Sequence, residues 1–129
     1  MTDDEVWTRF ADLARTWRIP GWEVSIRDAF EAVGVPLDDP DHARAAVRSA
    51  LAGRPWLVIG WSDYCEDRRG SPAPLIDGTV VAFLDPAQHP SRLDVVEHAD
   101  AASATADYVV REAFWVLASR RIQPGVDGA

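Results

Sequence analysis

Apolar residues recur at helical intervals along the first fifty positions, and the period then shortens. Val6, Phe10, Leu13, Ala14 and Trp17 fall on one face, with Asp3 or Asp4 placed to cap the start and suit its positive end. A helix over residues 4–17 follows. Pro20 and Gly21 break the chain, and after Ser25 a second face forms from Ile26, Ala29, Phe30 and Val33, stopped by Gly34 and Pro36. Asp39 then offers a side-chain acceptor ahead of Pro40, which has no amide to leave unpaired, so a third helix starts there. Ala43, Val47, Ala50 and Leu51 form its inner face, and Gly53 ends it.

From Trp56 the run Trp56, Leu57, Val58, Ile59, Gly60, Trp61 is short, partly β-branched and aromatic, and reads as a strand covered on both faces. Thr79 to Leu84 is a second such run, entered through Asp77-Gly78 and left through Asp85-Pro86. Leu93, Val95 and Glu97 alternate with Asp94, Val96 and His98, which predicts a third strand at an edge or beside solvent. Residues 101–121 return to helical spacing, with Ala106, Val110, Ala113, Phe114 and Leu117 on one stripe and Arg120 and Arg121 in the last turn.

The predicted order is α-α-α-β-β-β-α. It implies an α+β fold: a small, mainly antiparallel three-stranded sheet packed against about four helices. The 84–92 connection is too short for a parallel crossover, whereas 61–79 is long enough to leave a mixed sheet open. The chain of 129 residues suits one domain, expected over 1–122, followed by a flexible tail at 123–129 that holds Pro124, Gly125 and Gly128.

Composition narrows the function classes. All 13 basic residues are Arg, with no Lys or Asn and abundant Ala, a bias that fits a GC-rich bacterial genome rather than selected Arg chemistry. Against 21 acidic groups they leave a net charge of −8, which opposes adsorption to nucleic acid or anionic lipid and favours cationic partners. The single Cys65 makes no internal disulfide, and Asp3, Asp4 and Glu5 stand where a signal peptide carries basic residues, so a cytoplasmic protein is expected. The longest wholly apolar run, Trp56–Trp61, is far short of the roughly twenty residues of a membrane span.

Chemistry concentrates in the connection Ser62–Asp77, where Asp63, Tyr64, Cys65, Glu66, Asp67, Arg68 and Arg69 precede Gly70, Ser71 and two prolines. Loops longer than about 12–15 residues are uncommon in compact domains and are often functional. Two readings of this segment differ. In one, Arg68 and Arg69 pair with the neighbouring carboxylates on a solvated surface. In the other, the loop presents groups to a ligand. Cys65 would become a nucleophile if His89 or His98 approached it, yet no local nucleophile signature is present. His42, His89 and His98 show no metal-helix spacing, and no metal or cofactor is expected. Arg92 and His98 resemble the Arg-to-His spacing of HEPN ribonucleases. That family needs both on a helix, whereas Pro90 and the alternation after it specify a strand. Gly60 and Gly70 are isolated and form no phosphate-cradling loop.

Six Trp residues, at 7, 17, 22, 56, 61 and 115, supply potential anchors, since Trp is enriched at interface hot spots. Trp22, beside Pro20 and Gly21, and Trp115, off the main stripe of the last helix, are the candidates for exposure. Size and charge together resemble the immunity proteins of toxin pairs at the level of class alone. The expectation is a small acidic binding domain that masks a basic protein partner, favoured over an enzyme, a question the residues leave open. Asp63, Glu66 and Asp67, with Asp38, Asp39 and Asp41, steer the encounter, while Tyr64, Trp22 and Trp115 anchor it. The competing class is a small enzyme or small-molecule binder with a pocket under the 62–77 loop, using Cys65 and His98.

Overall fold

The structure, a computed structural model, describes residues 2–16, 26–67 and 72–121. Helix α1 (Asp3–Ala11) is capped by Thr2, whose hydroxyl accepts from the Glu5 amide at 3.2 Å, so Asp3, Asp4 and Glu5 fill the first turn instead of capping it. Asp12 interrupts the helix and a short segment, α2 (Leu13–Thr16), continues it. Helix α3 (Ile26–Val33) follows. Helix α4 (Pro40–Leu51) begins as the sequence predicts: the Asp39 side chain accepts from the His42 amide at 3.2 Å and Pro40 takes the first position. Gly53, at φ +72°, supplies the left-handed residue just beyond its end.

The main departure comes next. Trp56–Trp61 is not a strand; it belongs to helix α5 (Pro55–Asp67). Leu57, Trp61, Tyr64 and Cys65 are its buried positions, a spacing of four, three and one that only a helix brings onto one face. The connection expected over Ser62–Asp77 is therefore shorter, because α5 runs through Asp67 and strand β1 occupies Ala73–Asp77. Arg68, Arg69, Gly70 and Ser71 lie outside the described residues, as do Trp17, Trp22 and the tail 123–129. With α1 and α2 counted as one broken helix, the order is α-α-α-α-β-β-β-α.

The α+β class and the antiparallel sheet hold. Strands β1, β2 (Val80–Leu84) and β3 (Arg92–Glu97) lie in the order β1-β2-β3, both pairs antiparallel. Asp77 opposes Val80 across a two-residue turn whose first position is Gly78 at φ +63°, a conformation glycine adopts without a Cβ penalty. Between β2 and β3 the register shifts: Val81 faces Val96 and Phe83 faces Leu93, so Asp94 and Val95 together oppose Ala82. All of β3 is exposed, as its mixed polarity predicts for an edge.

Helix α6 (Ala101–Arg121) is the central element, packed against α4, α3 and α5 and against β1 and β2. Residues 104–110 are buried all round, and Ala113 and Val116 continue the core. The stripe predicted for this helix is thus too narrow at its start, and Phe114, placed on it, is instead 40% exposed. One apolar cluster joins residues of every helix to β1 and β2. Among the described residues no helix is long and apolar enough to cross a membrane.

Asp100 starts α6: its Oδ1 accepts from the Ser103 amide at 2.7 Å and Oδ2 from Arg48 Nη2 at 3.2 Å. These bonds, the Ser103 amide foremost, hold its carboxyl below the usual carboxylate range. A folded-state value below the unfolded one makes the stabilisation full above the unfolded pKa and lost as pH falls through the lowered value. Asp100→Ala is accordingly expected to lower the melting temperature at neutral pH, with a gap from the parent that closes in strong acid. A gap independent of pH in thermal melts would contradict this origin.

Candidate functional site

Helix α5 has two faces of opposite character. Its inner face seats Trp61 at the centre of the core: the indole N–H donates to the Ala11 carbonyl at 2.8 Å, and the ring contacts Phe30, Tyr64 and Tyr108 at 6.3, 5.3 and 6.4 Å. Tyr64 is fully buried and donates its hydroxyl hydrogen bond to Glu112 Oε2, itself fully buried. Its ring offers no surface to a partner, which removes Tyr64 from the expected anchors. Cys65 is 1% exposed, and its sulfur accepts from the Ile76 amide of β1 at 3.4 Å. Burial pushes the neighbouring Tyr108 hydroxyl well above the usual phenol range, with Glu112 adding to the shift, so that hydroxyl stays protonated in ordinary buffers. Cys65 therefore sits in the core, away from any exposed nucleophile position.

The outer face of α5 carries the exposed groups. Trp56 is 53% and Ile59 61% exposed, and Ser62, Asp63 and Glu66 follow on the same side at helical steps. An apolar pair thus leads into a carboxylate pair one turn further on. The acidic end of this stripe lies at the helix C-terminus, whose last turn holds no basic residue. Negative charge in a last turn opposes the helix dipole. Asp63 makes no ion pair within the described residues. The Asp67 side chain lies outside the described residues.

The other predicted residues scatter. Asp38 is exposed before α4, Asp39 is occupied as its cap, and Asp41 pairs with Arg44. Trp115 is half-buried, its ring 4.9 Å from Phe83 of β2. His98 does not approach a thiol; its Nε2 lies 2.9 Å from Oδ2 of Asp107, which also receives Arg111 Nε at 3.1 Å and has Arg44 Nη1 at 3.8 Å. One buried carboxylate thus gathers three cationic or titratable partners, a structural knot joining α4, α6 and the end of β3. His89 is exposed in the β2–β3 connection, and exposed His42 places its ring 6.1 Å from that of Trp7. Among the described residues no three His, Cys, Asp or Glu converge as a metal site.

Two surface grooves stand out among the described residues, and of the segment Ser62–Asp77 only Pro74 lines either of them. One groove of about 600 Å³ separates α1 from α4, lined by Asp3, Asp4, Trp7, His42 and Arg54. The other, also about 600 Å³ and open, runs over α6 between α4 and the sheet, lined by Arg44, Phe83, Arg111, Phe114 and Trp115. Neither Cys65 nor His98 lines them.

No family model, curated protein or solved structure matches the chain. Trp56 and Ile59 are the surface residues sequence reasoning missed. The signal was present in the spacing of Leu57, Trp61, Tyr64 and Cys65, which continues one helical face across the point where the apolar run ends.

Proposed function

We propose that this chain is a small acidic protein-binding domain of the immunity type, a cytoplasmic bacterial protein that masks a basic surface on its partner through the outer face of α5. The observation that carries the reading is the stripe itself: Trp56 and Ile59, more than half exposed, beside Asp63 and Glu66. Burying an exposed Trp or Ile against a partner contributes roughly 1.5–3 kcal/mol each, enough for an anchor. The carboxylates add the long-range attraction that speeds encounter with a cationic surface. The competing reading, a small enzyme or small-molecule binder, would have to use the groove over α6; its proposed groups Cys65 and His98 are committed to the core and to Asp107.

A photo-crosslinking residue at position 59, introduced in the source cells, is expected to capture one basic protein, and the same residue at exposed position 87 is not. With that partner purified, Trp56→Ala weakens binding, while Asp63→Asn with Glu66→Gln slows association and flattens its salt dependence. Absence of an adduct specific to position 59, or an association rate indifferent to both salt and the two neutralisations, overturns the reading.

A further inference from the structure

We propose that β3 pairs edge to edge, antiparallel, with β3 of a second copy of this chain, joining two sheets across a two-fold axis. The proposal is independent of the α5 reading. The two edges of the sheet are treated differently. Along β1, Pro74 has no amide to offer and the Ile76 amide donates to Cys65 of α5, so that edge is closed. Along β3 every residue is exposed, and among the described elements its main packing is against β2.

The ladder decides which backbone groups face outward. The His98 amide donates to the Thr79 carbonyl and the Ser91 carbonyl accepts from Asp85, both at 2.8 Å, so these residues point toward β2. Backbone direction alternates along a strand, and the adjacent Glu97 and Arg92 therefore turn their N–H and C=O groups outward. The same two residues are charge complements. In an antiparallel pairing about a two-fold between Asp94 and Val95, Arg92 meets Glu97 of the second copy at both ends, and Leu93 meets Val96. Hydrogen bonds, opposite charges and apolar neighbours thus share one register. Leu93, Val95 and Val96 are 37, 55 and 41% exposed, an unusual apolar load for an edge strand otherwise bent by its bulge.

Three features oppose the contact and limit its strength. Arg92 already pairs with Asp77 at 3.1 Å, an exposed ion pair that is easily exchanged. The Asp94 carbonyl is taken by Arg111 Nη1 at 3.0 Å, so the bulge adds no bonds at the axis. Net charge of −8 per chain repels the copies at low salt, whereas moderate salt screens that repulsion more than it weakens contact pairs. The result is a weak dimer, assembled at high protein concentration. Because α5 lies at the β1 side of the sheet, each copy keeps its outer face open.

Sedimentation velocity from about 10 μM to 1 mM at moderate salt tests it, a range suited to small interfaces. The chain is expected to pass from monomer to dimer. Arg92→Glu and Glu97→Arg, both at exposed sites, each set like charges opposite one another and weaken the dimer by about tenfold, and the double reversal restores it. Circular dichroism confirms that each variant is folded. A monomer at every concentration overturns the proposal. So does a dimer indifferent to the single reversals, which would place the contact elsewhere, over Phe114 and Trp115 for instance.

Discussion

Replacing Trp61 with alanine is expected to remove about 3–5 kcal/mol of stability, a large share of the roughly 5–15 kcal/mol that holds a native domain together. The indole is fully buried, packs against Phe30, Tyr64 and Tyr108, and donates to the Ala11 carbonyl, which the substitution leaves without its partner. Trp56→Ala, five residues earlier on the same helix, is expected to change stability by no more than about 0.5 kcal/mol, since that ring is 53% exposed. Urea denaturation of the pair measures both. Equal losses would mean that α5 does not turn these two rings to opposite sides.

Asp107→Ala is the second large effect, expected at about 2–3 kcal/mol. Breaking a buried ion pair typically costs roughly 3–5 kcal/mol because the remaining charge is stranded. Here the partners can recover some solvent: the side chains of His98, Arg111 and Arg44 are 20, 24 and 36% exposed against 6% for the aspartate, so the cost is discounted. The test that isolates the knot is a double-mutant cycle with Arg111→Ala. If both act through their shared bond, the double variant loses less than the sum of the singles. Strict additivity would show that the carboxylate and Arg111 do not support each other.

The helices that were legible in the sequence carry their own punctuation. Asp39-Pro40 and Gly53 bracket α4 with a cap, a residue without an amide and a left-handed stop, and each acts locally. β2 was legible for the same reason, with the Asp77-Gly78 turn before it. Helix α5 was not, because a periodic pattern needs polar residues on the outside, and its first turns place Trp56 and Ile59 there. Apolar residues on both faces erase the period and imitate a buried strand. The surface feature that defeated the pattern is the one that now carries the binding proposal. β1 was hidden for a different reason: Pro74 argues against a strand unless its missing amide faces away from the sheet, which the pairing of Ile76 with Cys65 on that side satisfies.

The candidate residues divide along the same line. Asp63 and Glu66 are exposed as charge alone predicted, whereas Tyr64, one position away from Asp63, is turned inward by the helix. A loop reading cannot separate neighbours in this way. His98 and Cys65 looked like reagents by type, and the sequence did not show the contacts that hold them, Asp107 for one and the β1 backbone for the other.

The thiol that shuts one margin of the sheet also sets how far strands can be added. A ribbon able to grow at both margins has no natural stopping point and is a template for fibres, whereas this one accepts a neighbour on a single side. Once two copies meet, both remaining margins are the blocked kind, and growth ends at the pair.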